Sequence, residues 1–427
     1  MSIVARVANV CRVCGFQKLT PIISLGDLYV SNFIEDSQID QAEKVPLELI
    51  LCNVQEGGCG LVQLKHTVSS ELMYRNYWYH SGINKSMTDE LSNITMEIKK
   101  IVDLSVGDFV IDIGSNDGTM LRNYKIPGLN LVGFEPARNL EEPGQNGITK
   151  IIVDFFNLSA WKKEFGDARA KVITAIAMFY DLDDPNAFVR DVAELLDDEG
   201  LFVIQMMYLP SFLARNAFDG ICHEHLEYYS LLPLENLLKR HDLEVFDVKK
   251  REHINEGSFR VYVRKVGCGR SLRVQDGAAG RVSKMRQDES QMGLGDKKIY
   301  DDFAYRVQTI KKEVVDFISE QVLVGKKIYA YAASTKGNTL LQFFGLNSSL
   351  VAAIADKNRD KWGKKTVGTM IPIISEEQFR AANPDYALIL AWHFLPEFIK
   401  RETYYLRGGG KFIVPLPEFE VISASEL

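Results

Sequence analysis

The sequence predicts an α/β protein organised on a doubly wound, mostly parallel sheet, and three observations carry that expectation. Short apolar runs recur at Val110–Ile113, Leu131–Phe134, Ile151–Val153, Lys171–Met178 and Leu201–Met206, as suits strands buried on both faces. Amphipathic helical stripes flank them, at Met87–Val102 and over residues 186–197. The first three runs close on Gly114, Glu135 and Asp154, at the strand ends where an open α/β sheet places its ligand.

Length and charge bound what such a chain does. With 427 residues and 46% hydrophobic content, two or three folded domains are expected. A net charge of −7 gives a nucleic-acid surface no electrostatic support. No apolar run approaches the ~20 residues of a membrane span, and Met1-Ser-Ile-Val-Ala-Arg6 lacks the apolar core of a signal peptide. The expectation is a cytoplasmic protein with no nucleic-acid or membrane partner, and no internal repeat is visible.

Taken in order, the chain opens on Cys11-Arg-Val-Cys14-Gly, and a second pair follows at Cys52 and Cys59. Four thiolates suit a tetrahedral zinc with no open position, hence a structural ion. It would staple a module of residues 1–70. The spacing of the second pair exceeds the usual two to four residues, with Gly57 and Gly58 taking up the slack. Tyr77-Trp-Tyr79-His80-Ser-Gly82 then concentrates aromatic faces and polar tips able to hold a polar ligand; the plainer reading is an aromatic linker. An amphipathic helix follows and leads into the central strand.

That strand ends in Asp112-Ile-Gly114-Ser-Asn116-Asp117-Gly118, which predicts strand, turn and helix, with a ligand over the helix N-terminus. The loop is neither a Walker loop nor the dinucleotide G-x-G-x-x-G. Its acids would repel a pyrophosphate but tolerate a ligand with a cationic centre. Glu135, followed by Pro136, closes the second strand and can accept both hydroxyls of a ribose. Together these point to S-adenosylmethionine (SAM). Asp154 is placed to accept from the adenine amino group, with Phe155 or Phe156 stacking on the base.

The most polar stretch is Cys222-His223-Glu224-His225. A metal site is one reading, but H-E-H is not H-E-x-x-H, and neighbours on a strand point oppositely. A general base with an orienting carboxylate fits better. Arg260, after the turn at Asn255–Gly257, is a candidate phosphate or carboxylate holder, or simply a surface charge. Residues 267–297 predict a linker or loosely ordered crossover. A helix over Phe303–Phe317 leads to a second α/β unit. There Ser334-Thr-Lys336-Gly-Asn338 offers hydroxyls, a cation and backbone N–H groups to an anion such as a diphosphate.

These pieces resemble the bacterial SAM-dependent sugar C-methyltransferases over nearly the whole chain. The likeness rests on Cys11-x-x-Cys14 with Cys52 and Cys59, Ile113-Gly-Ser-Asn-Asp-Gly118, His223-Glu-His225, Gly257-Ser-x-Arg260 and Ser334-Thr-Lys-Gly-Asn338. It implies a zinc module (1–70), a methyltransferase domain (71–265), a crossover (266–300) and a Rossmann-like domain (301–427). It further implies a nucleotide-linked keto-sugar methylated beside its ketone, with His225 as base and Glu224 as its partner. His223, Tyr77 and Tyr79 complete the expected catalytic set. Asp112, Gly114, Asn116, Asp117, Gly118, Glu135, Pro136, Asp154 and Phe155 would hold SAM. His80, Arg260, Ser334, Lys336 and Asn338 would hold the sugar nucleotide. Three places depart from the family pattern: Cys222 stands where a tyrosine is common, Tyr77–Gly82 differs in type, and Met178-Phe-Tyr-Asp181-Leu lacks the expected Asn and His. O-methylation or another small-molecule methylation, and non-catalytic binding of a nucleotide sugar, are the competing readings. Monomer and dimer both remain open.

Overall fold

A computed structural model describes residues 5–254 and 256–426. Met1–Val4, part of the stretch read for a leader, and Asn255 of the turn before Arg260 lie outside the described residues. The N-terminal module carries β1 (Thr20–Tyr29), β2 (Lys44–Leu51) and β3 (Val62–Leu64), paired antiparallel in that order. Helix α1 (Lys85–Ile101) buries Leu91, Ile94, Ile98 and Ile101, the predicted stripe, and Asn84 caps it by accepting from the Ser86 amide.

The central domain follows with β4 (Phe109–Ile113), β5 (Asn130–Phe134), β6 (Lys150–Ile152), α2 (Leu158–Phe165), β7 (Ala170–Ile176), α3 (Pro185–Leu195) and β8 (Leu196–Met207). Next come β9 (Glu227–Tyr228), α4 (Leu231–Lys239), β10 (Leu243–Arg251) and β11 (Ser258–Lys265). Seven of these strands form one sheet in the order β10-β11-β8-β7-β4-β5-β6. Only β11 runs antiparallel to its neighbours. The order reverses at β4, so the crevice opens at the carboxyl ends of β4 and β7. Alternate residues feed two cores: Ile111, Ile113, Ile173 and Phe202 pack on one face, Val110, Val172, Leu201 and Val203 on the other.

Two expectations fail here. The stripe after Gly118 makes only a 3₁₀ turn at Leu121–Asn123, because Pro127 and Gly128 end the segment before a helix can propagate. Residues 267–297 are no loose crossover: α5 (Ala278–Met292) packs through Ala278, Val282, Met285 and Glu289. The stripe was hidden because its last member is charged; buried Glu289 accepts from the Tyr208 hydroxyl at 2.9 Å and the Leu231 amide at 2.7 Å.

Helix α6 (Lys297–Leu323) leads to the C-terminal domain: β12 (Ile328–Tyr331), α7 (Thr335–Phe344), β13 (Ile354–Asp356), β14 (Ile373–Ser375), α8 (Glu376–Ala382), β15 (Tyr386–Ile389), β16 (Lys411–Val414) and β17 (Glu420–Ile422). Its sheet order is β14-β13-β12-β15-β16-β17, parallel except for β17. The N-terminal module is sewn to both other parts. Strand β9 extends its sheet by pairing with β3. Gln342 of α7 exchanges hydrogen bonds with the Tyr29 backbone at 2.8 and 3.1 Å, and Phe33–Ile34 pairs with Lys365–Thr366.

Candidate active site

A cavity of about 800 Å³ lies where these parts meet. One wall is the carboxyl ends of β4, β5 and β7, a second is the Ser70–Leu91 segment, and a third is the loops after β12, β13 and β15. Of the expected SAM residues, Asp112, Gly114, Asn116, Glu135, Pro136 and Phe155 line it. Glu135 accepts from the Asn116 amide at 2.7 Å through one oxygen and from the Ala137 amide at 2.8 Å through the other. A carboxylate has about four acceptor positions, so two remain for a ribose diol. Asp112 accepts from the Thr174 hydroxyl at 2.7 Å; burial pushes its carboxyl up to about 7, and a cationic ligand would favour its ionised form. Gly114 takes φ 70°, and a Cβ there would meet Met178 at 3.0 Å. Asp112 and Glu135 thus have the charge and the free acceptor positions that would suit SAM.

Asp117, Gly118 and Asp154 are not cavity residues. Asp117 accepts from the Gly82 amide at 2.7 Å, while Asn116 accepts from the Ser81 amide at 2.9 Å and donates to the Tyr79 carbonyl at 3.0 Å. The acidic turn thus clamps the aromatic segment over the pocket. Gly118 is required by packing, since a Cβ would lie 2.4 Å from Ile148. Asp154 pairs with Arg75 at 3.1 Å, and that guanidinium covers the Phe155 ring at 4.7 Å. Phe156, though at the cavity edge, packs edge-on to Phe134 and Phe188 in the core.

The H-E-H stretch is a turn rather than a strand, closed by the His225 amide donating to the Cys222 carbonyl at 3.1 Å. Glu224 and His225 consequently both face the cavity, with Tyr77 and Tyr79. His223 points the other way, 2.9 Å from the Val45 carbonyl; burial lowers its pKa to about 4. That separation also removes the pairing of two histidines on one metal. His225 Nδ1 lies 2.9 Å from the Gly220 carbonyl. Since a carbonyl only accepts, Nδ1 carries the hydrogen and Nε2 keeps its lone pair. Burial, with Lys336 nearby, lowers its pKa to about 3, so the ring is neutral at physiological pH. Burial pushes Glu224 up to about 7, with Lys336 opposing.

Of the expected substrate residues, Ser334 and Lys336 line the cavity; His80, Arg260 and Asn338 do not. Arg260 is 1% exposed and pairs with Glu90 at 2.8 Å and Gln205 at 2.8 Å. It is an internal tie, because a buried guanidinium needs partners within the fold. Asn338 donates to the Asn32 carbonyl at 2.9 Å. Lys336 is bound to buried Glu256 at 2.8 Å, and His393 approaches the same carboxylate at 2.9 Å. Burial works against charge on Glu256, but Lys336 and His393 outweigh it and hold its pKa below the usual range. Sequence reasoning missed Glu256, His393, Tyr74 and Asp181: each is one ordinary polar residue, and only the fold assembles them.

The four cysteines of the N-terminal module converge as expected. Their sulfurs lie within 4.8 Å of one another, with Cys11–Cys59 at 3.6 Å and Cys14–Cys52 at 3.5 Å. A tetrahedral ion with ~2.3 Å bonds to sulfur sets its ligands roughly 3.8 Å apart, so the donor set fits zinc. The Cys59 amide donates to Cys52 Sγ at 3.3 Å, the kind of second contact that orients a ligating thiolate. Among the described residues no helix is long and apolar enough to cross a membrane.

Three family models match the chain in succession. They are "Putative zinc binding domain" over residues 11–74, "Methyltransferase domain" over 87–248 and "C-methyltransferase C-terminal domain" over 253–417. The chain is 31% identical over 434 residues to the C-methyltransferase NovU of Streptomyces niveus, covering 99% of each. Among solved structures, a chain of the "Complex between the Haloferax volcanii Trm112 methyltransferase activator and the putative methyltransferase" is 13% identical. It covers 43% of this chain and 94% of its own, with a TM-score of 0.36. A SAM-dependent methyltransferase of Clostridium acetobutylicum is 11% identical, covering 42% and 92%, with a TM-score of 0.33. The full-length relative and the three successive domains establish that this chain belongs to the C-methyltransferase family, as a SAM-dependent methyltransferase with an N-terminal zinc-binding domain.

Proposed function

We propose that the chain methylates carbon next to a ketone in a nucleotide-linked keto-sugar, by way of an enolate. The observation that carries this reading is the fixed tautomer of His225: Nδ1 is tied to Gly220, which leaves Nε2 as a proton acceptor at the wall between the SAM loop and the C-terminal domain. Bound SAM supplies an electrophilic methyl group on a sulfonium. His225 takes the α proton, Glu224 orients the sugar beside it, and the clamped Tyr77–Gly82 segment excludes water. With Lys336 engaged by Glu256, Lys361 by the Ala333 carbonyl at 2.8 Å and Arg401 by Glu376 at 2.8 Å, the candidate for a diphosphate on the C-terminal wall becomes Lys357, with Asp356 at the end of β13 for a ribose.

The test is a mass-spectrometric screen of purified protein and SAM against a panel of nucleotide-linked 4-keto sugars, run in parallel in heavy water. The expected product gains one methylene, and NMR places the new methyl on carbon. A methyl on oxygen refutes C-methylation. Absence of both methylation and α-deuteration across the panel, with SAM bound, refutes the keto-sugar reading.

A further inference from the structure

Strand β7 ends at Ile176, and the chain turns through Ala177 at φ 54° into a 3₁₀ turn over Phe179–Asp181. This turn is bonded to the segment that carries the base. The Leu226 amide donates to the Tyr180 carbonyl at 2.8 Å, and the Tyr180 ring stands edge-on to the His225 ring at 4.6 Å. Asp181 and His225 therefore each adjoin the same bonded pair, and both line the cavity. Of the cavity-lining carboxylates among the described residues, Asp181 alone keeps a buried oxygen, Oδ1, with no hydrogen-bond partner.

The groups that face it are Glu224, Glu227, the Cys222 thiol and the hydroxyls of Tyr74, Tyr77, Tyr180 and Tyr228. Glu227 has Arg12 at 3.9 Å, and Tyr74 donates to the Glu224 carbonyl at 3.1 Å. Burial, then Glu224 and Glu227, push the Asp181 carboxyl well above its usual range. An acid kept neutral in this way is a donor within a low-dielectric site.

We infer that Asp181 is a catalytic residue that donates its carboxyl O–H to the acceptor's carbonyl oxygen while His225 removes the adjacent proton. The inference rests on the enolate reading above. The C–H pair becomes the C=C bond, the carbonyl π pair moves onto oxygen, the proton passes to His225 Nε2, and Asp181 keeps its own proton. When the carbon attacks the sulfonium methyl, the sulfur–carbon pair stays on sulfur and the carbonyl re-forms.

The test follows α-proton exchange by NMR in heavy water without SAM, using the panel of nucleotide-linked 4-keto sugars. Asp181→Asn keeps an N–H donor at this position; Asp181→Leu and Asp181→Ala remove it. Binding of S-adenosylhomocysteine confirms that each variant is folded, and Ala stands in if Leu is not. The expected result is a loss of ~10²–10³-fold in exchange for Leu or Ala, and recovery to within ~10-fold for Asn. Exchange by the Leu or Ala variant at the wild-type rate overturns the role of Asp181 and leaves the enolate reading standing. Equal losses in Asn, Leu and Ala also overturn it, since donation is then not what the residue supplies. If the wild type exchanges no probe, the enolate reading falls and this inference falls with it.

Discussion

Replacing His225 by alanine separates chemistry from folding unusually well at this position. The ring gives the fold one hydrogen bond, to Gly220, and one edge contact, with Tyr180. Gly220 is not orphaned by the change, because the Tyr228 hydroxyl donates to the same carbonyl at 3.0 Å. The stability cost is therefore one net hydrogen bond, about 0.5–1.5 kcal/mol, plus an aromatic contact of about 0.5–1.5 kcal/mol. The cost to turnover is that of a general base, ~10²–10⁴-fold, equivalent to ~3–5.5 kcal/mol on the barrier. Turnover is read as SAM-dependent methylation of whichever keto-sugar the wild type accepts. SAM affinity is read by calorimetry and should stay within ~2-fold, since no SAM-loop residue bonds to His225. A variant that binds SAM normally and turns over at the wild-type rate refutes His225 as the base.

The raised carboxyl of Asp112 makes a pH-dependent prediction. With a folded pKa of about 7 against an ordinary 3.8, its protonated form stabilises the ligand-free fold fully below 3.8, and that contribution is lost as pH rises through 7. Asp112→Asn should therefore stabilise the ligand-free protein at pH 8, by at most about 4 kcal/mol, and leave it unchanged near pH 3.5. The same variant should weaken SAM binding, because the charge that favours the sulfonium is gone. Denaturation curves at the two pH values, with calorimetry at pH 8, check both halves, and equal stabilisation at both pH values refutes the linkage. Arg260→Ala removes from buried Glu90 its buried cationic partner at 2.8 Å, leaving the partly exposed Arg251 and neutral Gln205. A loss of about 3–5 kcal/mol in stability is expected, with KM for the sugar unchanged where the variant remains folded. A large rise in KM without loss of stability would restore Arg260 to the substrate site.

The signals legible in the sequence were those with a local period or a short fixed spacing. The strand runs, the α1 stripe, the cysteine pairs and Glu135 at a strand end all belong to that kind. What failed was decided by context. Asp117 and Gly118 satisfy a ligand-loop pattern equally well whether they face a ligand or clamp a neighbouring segment, and here they meet Gly82 and Ile148. Arg260 sits on a strand whose sheet partners supply Gln205, while Glu90 arrives from α1, a long-range meeting no spacing reveals. His223 and His225 could not be told apart until the segment proved to be a turn. Asp181 follows a predicted strand as plainly as Asp154 does. Only the fold buries the first among carboxylates and pairs the second with Arg75.

Strand β9 begins two residues after His225 and is the outermost strand of the zinc module's sheet. The Leu64 amide donates to the Leu226 carbonyl at 2.9 Å, while the Leu226 amide donates to the carbonyl of Tyr180 in the turn that follows β7. One residue is thus bonded both to the zinc module's sheet and to the turn after β7, with His225 beside it. Strand β3 begins three residues after Cys59, so the cysteine cluster and one of the two anchors of the His225 turn lie on one short stretch of chain. If His225 is the base proposed above, metal loading would act as an interlock, setting the register of that base together with the N-terminal module.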